Sequence, residues 1–473
     1  MNFNSLAFLI FLHIAVGFHW LLPHRARKYW LLAASWFFYM YWNPLFIFLL
    51  LFSTAVDYFC GRGMAHWREQ KRIKRLLLSV SMVMNLGLLF FFKYWDFFGG
   101  IMNGVWAALG LSFRTPELNL ILPVGISFYT FQTMSYTIDV YRGKFEAEKD
   151  FVTFALYVSF FPQLVAGPIE RADNLLGQLW KERRFDRDDL TAGLRLLVSG
   201  YFRKIVVADL AAPFVNAVFA AEAPDGSAVL AAVLLFGIQI YGDFSGYSEI
   251  AMGSARLLGV RLMRNFDRPY GAANIREFWR RWHISLTRWF TDYVYIPLGG
   301  SKKGLARQLF ATTVVFALCG LWHGAAWSYV LWGLLHACFL NLYTLRKRRF
   351  PALPSGLWEH ALTYGAVTFS WLFFRAGDTG RAILLTGRFF SAWDVASGVQ
   401  LLMSAGLRGA SPVLLLLLLA GGLLMLRRLP VLTTEEKPPV PVAAWAGLLL
   451  AILIAALIRI DSGTASAFIY FQF

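Results

Sequence analysis

Apolar positions in this chain come in long blocks, and the polar stretches between them are short, basic and punctuated by Gly and Pro. A helix that crosses a membrane needs roughly 20 apolar residues. The pattern predicts membrane helices over Phe3–Leu22, Tyr29–Trp42, Leu45–Phe59, Leu76–Trp95, Asn119–Val140, Phe151–Ala166, Leu190–Ala220 and Ala228–Phe244. It continues with Leu309–Trp322, Trp327–Leu345, Trp358–Phe374, Pro412–Leu426 and Ala443–Ile458. Asn43-Pro44 is a turn signal between two of these runs. Phe98–Leu111 is too short for a full crossing and reads as re-entrant, and Ile284–Leu298 is apolar but short. The expectation is an all-α polytopic membrane protein with about eleven to fourteen membrane segments, some not spanning.

Basic loops set the orientation. Arg62–Arg75, Arg346-Lys347-Arg348-Arg349 and Arg427-Arg428 are clusters of the kind kept on the cytoplasmic side. His24-Arg25-Ala26-Arg27-Lys28 satisfies the same parity. Lys302, Lys303 and Arg307 precede the run Leu309–Trp322, whose 14 residues rise about 21 Å as a helix. His323 then falls inside a hydrocarbon layer about 30 Å thick. Non-helical backbone at that depth must be buried in protein or line a water-filled cavity, so a cavity reaching His323 is expected. The apolar N-terminus has no basic n-region or small-residue cleavage site and reads as a retained span.

Composition supports this picture: 58% of the 473 residues are hydrophobic and 15% charged. No polar stretch is long enough for a large soluble domain. The net charge of +17 would suggest nucleic acid in a soluble protein, but its concentration in loops beside apolar runs argues against nucleic-acid binding. Cys60, Cys319 and Cys338 have neither metal-ligand nor disulfide spacing.

Candidate chemistry centres on His323, set in Gly320-Leu321-Trp322-His323-Gly324-Ala325-Ala326-Trp327. An imidazole at membrane depth is costly and is a functional candidate by default. Gly320, Gly324, Ala325 and Ala326 let another backbone or a substrate come close. Burial keeps an imidazole neutral and suited to take a proton from an attacking hydroxyl. His283 lies in Arg261–Arg288, where Arg280, Arg281 and Trp282 belong to a dense arginine–tryptophan pattern. That pattern suits a phosphate-bearing ligand, or plain anchoring to anionic lipid. His336 reads as a satisfied interhelical hydrogen bond, and His13, His19, His24, His66 and His360 as interfacial. Asp243 and Glu249 flank Ser245 and read first as ion-pair scaffolding with arginines of the following segment, second as groups that orient a histidine or a substrate. No Gly-x-Ser-x-Gly elbow, phosphate loop or His-Glu-x-x-His zinc motif occurs. A base without a protein nucleophile points to direct transfer between two bound substrates.

Several segments together resemble the membrane-bound O-acyltransferases (MBOAT), in particular their bacterial alginate O-acetyltransferase branch. They are Leu122-Pro123-Val124-Gly125-Ile126-Ser127-Phe128-Tyr129-Thr130-Phe131-Gln132, Phe161-Pro162-Gln163-Leu164-Val165-Ala166-Gly167-Pro168-Ile169 and Asp243-Phe244-Ser245-Gly246-Tyr247-Ser248. Phe278-Trp279-Arg280-Arg281-Trp282-His283-Ile284-Ser285-Leu286, Leu321-Trp322-His323-Gly324 and Phe373-Phe374-Arg375-Ala376 complete the set. The resemblance implies a single membrane-embedded domain over 1–473, with peripheral helices in 1–112, a catalytic core in 113–376 and further helices in 377–473. It implies a tunnel or funnel, with His323 as the essential embedded histidine and His283 as the second. Arg280, Arg281, Trp282, Trp322, Asp243 and Ser245 become candidates for holding donor or substrate.

It further implies acetyl-CoA as donor with no permanently bound cofactor or metal, residence in the bacterial inner membrane, and a periplasmic partner that completes transfer to a polysaccharide of alginate or cellulose type. Two alternatives share the fold: acyl transfer to peptidoglycan, and D-alanyl transfer to teichoic acid from a carrier protein. A transporter or channel with a buried histidine in a proton path is the alternative of another class.

Overall fold

The computed structural model describes residues 1–404 apart from 166, 352–355 and 392. Among these residues every regular element is helical. The expected spans Pro412–Leu426 and Ala443–Ile458, the pair Arg427-Arg428 and the loop Leu429–Pro441 lie outside the described residues. Five helices among the described residues are long and apolar enough to cross a membrane: Phe46–His66, Lys71–Ala108, Gly226–Leu257, Leu305–His323 and Trp327–Arg349. The chain is therefore a multi-pass membrane protein.

Several apolar runs fold differently from their hydropathy. Phe98–Leu111 is not a separate re-entrant piece. It continues the preceding helix through a π-helical turn at Phe90–Tyr94 into Trp95–Ala108. Leu190–Ala220 is interrupted in the same way, by a π-helical stretch at Phe202–Ala208 between Arg187–Tyr201 and Asp209–Ala220. Such wide turns re-aim side chains within a helix, and hydropathy does not register them. Ile284–Leu298 is a seven-residue helix, Ile284–Phe290, followed by another wide turn. The helix carrying His323 starts at Leu305, before the apolar run, and its 19 residues give it a length of about 28 Å. That is closer to the hydrocarbon thickness than the apolar run alone suggests.

Two compact units divide the chain: Met1–Gly193 with Ala251–Met263, and Leu194–Ile250 with residues from Arg264 onward. The first unit is bolted by a buried polar network. Asp57, on the helix Phe46–His66, accepts hydrogen bonds from Ser81 Oγ (2.5 Å), Asn85 Nδ2 (2.9 Å) and Thr137 Oγ1 (3.1 Å). These donors come from two other helices, Lys71–Leu89 and Ile126–Tyr141. A buried carboxylate is tolerated only when its lone pairs are satisfied in this way. Glu170 in the same unit accepts from Asn174 Nδ2 (2.6 Å) and the Met263 amide (2.5 Å), and burial pushes its carboxyl up to about 7.

In the second unit the helices Leu305–His323 and Trp327–Arg349 form an antiparallel hairpin whose packing depends on glycine. A Cβ on Gly320 would stand 2.2 Å from the Tyr329 carbonyl oxygen, and one on Gly333 would stand 2.1 Å from the Phe316 carbonyl oxygen. Each glycine thus lets the opposing backbone pass at close range. The small-residue break expected after Gly320 serves this close approach.

Candidate active site

His323 is the last residue of its helix, and Gly324 follows with extended backbone. The imidazole is buried among aromatic rings: Trp322 at 5.0 Å between centroids, Trp332 at 5.1 Å and Phe374 at 5.2 Å. Gly324 has no room for a side chain, since a Cβ there would meet the Tyr329 ring at 2.1 Å.

His283 reaches the same place from a different element. It caps the helix Ile284–Phe290 with φ +42° and ψ +55°, a left-handed conformation uncommon for a residue with a side chain. Asn265 braces this turn. Its carbonyl accepts the Ile284 amide (2.9 Å), and its side-chain oxygen accepts the Ser285 hydroxyl (2.6 Å). The turn places the His283 ring 6.4 Å from that of His323, 5.9 Å from Trp322 and 4.7 Å from Phe244. Complete burial pulls the His283 imidazole down to about 3, so it is neutral at physiological pH.

His336 is held structurally, as its sequence context suggested. Trp279 Nε1 donates to its Nδ1 at 3.3 Å, and its Nε2 lies 2.8 Å from Ser370 Oγ. These contacts fix the neutral tautomer protonated at Nε2, since the Ser370 hydroxyl donates its own hydrogen bond to the Val367 carbonyl (2.7 Å).

A cavity of about 350 Å³ opens in this unit. Its polar wall carries Arg276, Arg280, Thr287 and Gln308, and its apolar wall includes Trp279, Phe316 and Cys319. Cys319 is one helical turn before His323, on the same face of the helix. His323 is not itself among the lining residues. This cavity therefore ends one helical turn short of His323. Trp279 and Phe316, 4.8 Å apart, form part of its lining, and Trp332 stands behind them, 5.8 Å from Trp279 and 5.1 Å from His323. An aromatic partition separates the cavity from the imidazole.

The other sequence candidates divide. Arg280 lines the cavity. Arg281 is turned to Glu277 (2.5 Å) and the Arg268 carbonyl (3.4 Å). Trp282 is buried against Phe278 and Trp371, and Trp322 contacts both histidines. Asp243 pairs with Lys204 (2.9 Å), which also pairs with Asp209 (3.0 Å). Ser245 accepts from Arg203 Nη1 (3.1 Å), and Arg203 pairs with Glu249 (3.3 Å). The scaffolding expected of Asp243 and Glu249 is present, but their partners precede them in the chain. The π-helical stretch at Phe202–Ala208 supplies both cations, so the expectation of arginines from the following segment is corrected. Sequence reading also passed over Arg276 as a wall of the cavity and Asn265 as the brace of His283. Arg276 is one of many charges in the basic segment Arg261–Arg288, and nothing around Asn265 distinguishes it in the sequence.

Among the described residues no group of three His, Cys, Asp or Glu could hold a metal ion. The imidazoles of His283 and His323, beside a basic-walled apolar cavity, suit proton transfer at His323 and an activated acyl group bearing a negatively charged tail.

Comparison with known proteins gives the family. The family model for MBOAT, the membrane-bound O-acyltransferase family, matches residues 88–377. A probable alginate O-acetylase AlgI of Pseudomonas putida is 35% identical over the whole of both chains. A peptidoglycan O-acetyltransferase of Helicobacter pylori is 35% identical, covering 80% of this chain and 78% of its own. A teichoic acid D-alanyltransferase of Bacillus subtilis is 28% identical over 55% of this chain and 69% of its own.

Proposed function

This chain belongs to the membrane-bound O-acyltransferase family and is an O-acetyltransferase, and from that premise we propose that it passes acetyl from cytoplasmic acetyl-CoA across the bacterial inner membrane to modify an extracytoplasmic polysaccharide of alginate or cellulose type. The observation that carries this reading is the paired His283 and His323 beyond the inner end of a basic-walled cavity.

The donor lies in that cavity. Arg276 and Arg280 face its phosphates, and the acetyl thioester points inward along Trp279, Phe316 and Cys319. An acceptor hydroxyl arrives from the opposite side of His323. His323 takes the hydroxyl proton as oxygen attacks the thioester carbon. The C–O bond forms, the C–S bond breaks, and the proton passes to the departing sulfur, leaving free thiol and an acetyl ester. His283, too weakly basic to store a proton, positions the thioester carbonyl or His323 itself. Movement of the Trp279–Phe316 partition admits the acetyl group to His323. A partner outside the membrane completes transfer to the polymer.

The Helicobacter pylori relative, a peptidoglycan O-acetyltransferase, favours a second acceptor, peptidoglycan. The Bacillus subtilis relative, a teichoic acid D-alanyltransferase, raises a different acyl group, D-alanine, for which a charged carrier protein is the alternative donor. Purified protein in nanodiscs, given acetyl-labelled acetyl-CoA or a D-alanyl-charged carrier with each polymer, separates them. Thiol release and label transfer from acetyl-CoA alone is the expected result. Turnover of the charged carrier alone rejects this reading of the donor.

A further inference from the structure

A second cavity, of about 360 Å³, lies wholly within the first unit. It sits where the helix Leu6–Leu21 ends and His24–Met40 begins, closed on its other side by Gln178–Arg183 and by Leu258 and Val260. Five cationic side chains line it, Arg25, Arg27, Lys28, Lys181 and Arg183, together with His19, and no carboxylate does. Lys28 is paired with Asp150 at 2.6 Å, and Arg183 feels the charge of Asp189, which lies outside the lining.

The walls are built rather than loosely gathered. Arg27 donates to the carbonyls of Leu22 (3.0 Å) and Arg183 (2.8 Å), and its guanidinium stacks over Trp20 at 4.9 Å. Trp20 in turn donates to the Leu257 carbonyl at 2.8 Å. Arg183 donates to Gln178 (3.1 Å), and burial lowers its guanidinium below the ordinary value. Inside the cavity His19 is 94% buried by its 6% exposure, and its Nδ1 has no hydrogen-bond partner among the described residues. A buried polar atom left so, in a cavity lined by five cationic side chains and no carboxylate, calls for an anionic ligand with hydrogen-bonding oxygens.

The surroundings say which source supplies it. Leu21 is 82% exposed at the end of an apolar helix, and Tyr29 and Trp180 stand exposed beside the cavity. Exposed apolar and amphipathic side chains at a helix end mark the level of lipid headgroups. We propose that this cavity binds the phosphate headgroup of an anionic phospholipid, its acyl chains running beside the helix Leu6–Leu21.

Native mass spectrometry tests this on the full chain reconstituted in nanodiscs of phosphatidylcholine with graded phosphatidylglycerol. Arg25 and Lys181 are exposed at the cavity edge, so their substitution spares the packed walls. Arg25→Gln with Lys181→Gln should lower phosphatidylglycerol affinity by about 25-fold, roughly fivefold for each cation removed. Arg184→Gln removes one positive charge outside the cavity and should change nothing, whereas Arg25→Gln alone should cost about fivefold. Equal retention of phosphatidylcholine, or an equal loss in Arg184→Gln, overturns the proposal. Inorganic phosphate added to phosphatidylcholine discs is the last arm. If it occupies the site as tightly as the lipid does, a free anion is the ligand and the lipid assignment falls.

Discussion

The imidazole of His283 stands 6.4 Å from that of His323, although the two residues belong to elements separated by 40 positions of sequence. One ends a long membrane helix; the other caps a seven-residue helix in a left-handed turn. The pairing depends on Asn265, which holds that turn through its main chain and side chain.

His283 should act by position rather than by titration. His283→Gln keeps a polar planar side chain and should retain a larger share of kcat than His283→Ala. Neither should move the acidic limb of the pH–rate profile. The stability effect has a defined sign. The folded-state value of about 3 lies below the ordinary imidazole value of 6.5, so the unfolded chain binds more protons between them. Stability from this group is intact above pH 6.5 and falls as pH drops, by about 1.4 kcal/mol per pH unit at most. Thermal melts of wild type and His283→Gln from pH 7 to pH 5 should diverge, with the variant less acid-sensitive. Parallel melts would contradict the assignment.

Glu170 should show the opposite sign. Burial raises it from 4.5 to about 7, so the folded protein binds more protons across that interval and loses stability as pH rises through it. Glu170→Gln keeps one acceptor and removes the titration. The difference in melting temperature between it and wild type should shift toward the variant as pH climbs from 5 to 8.

Gly320 separates packing from flexibility. A methyl group there meets backbone at 2.2 Å, whereas one on Gly365, in the helix Leu357–Ala376, meets nothing within 4 Å. Gly320→Ala should destabilise by about 1–3 kcal/mol or more. Gly365→Ala should be neutral or stabilising by up to about 1 kcal/mol. Melting curves in detergent read both.

Arg280 and its neighbour Arg281 distinguish a donor wall from a scaffold. Arg280→Ala should raise KM for acetyl-CoA about tenfold with kcat little changed, as expected when a charge-assisted contact common to ground and transition states is lost. Arg281→Ala breaks the pair with Glu277 and should leave KM nearly unchanged. Steady-state kinetics on the two purified variants decides this.

His323, the glycines around it and His283 were legible in the sequence because polar and small residues stand out in apolar surroundings. The helical class was legible for the same reason. Contacts between distant positions were not. Lys204 with Asp243 and Arg203 with Glu249 join residues about forty apart through a π-helical stretch that leaves no periodicity signal. Asp57 looks like a lone charge in an apolar run until Ser81, Asn85 and Thr137 are seen around it. The aromatic partition between cavity and imidazole was equally hidden. Trp279 stands in an arginine–tryptophan segment and Phe316 in an apolar run, and only the fold turns their rings toward each other.

The most direct measurement is acetyl transfer from labelled acetyl-CoA by nanodisc-reconstituted protein carrying His323→Ala, with insertion and melting temperature matched to wild type. The account predicts a fall in kcat of about 10²–10⁴-fold, the scale of a lost general base. Transfer at the wild-type rate would contradict it.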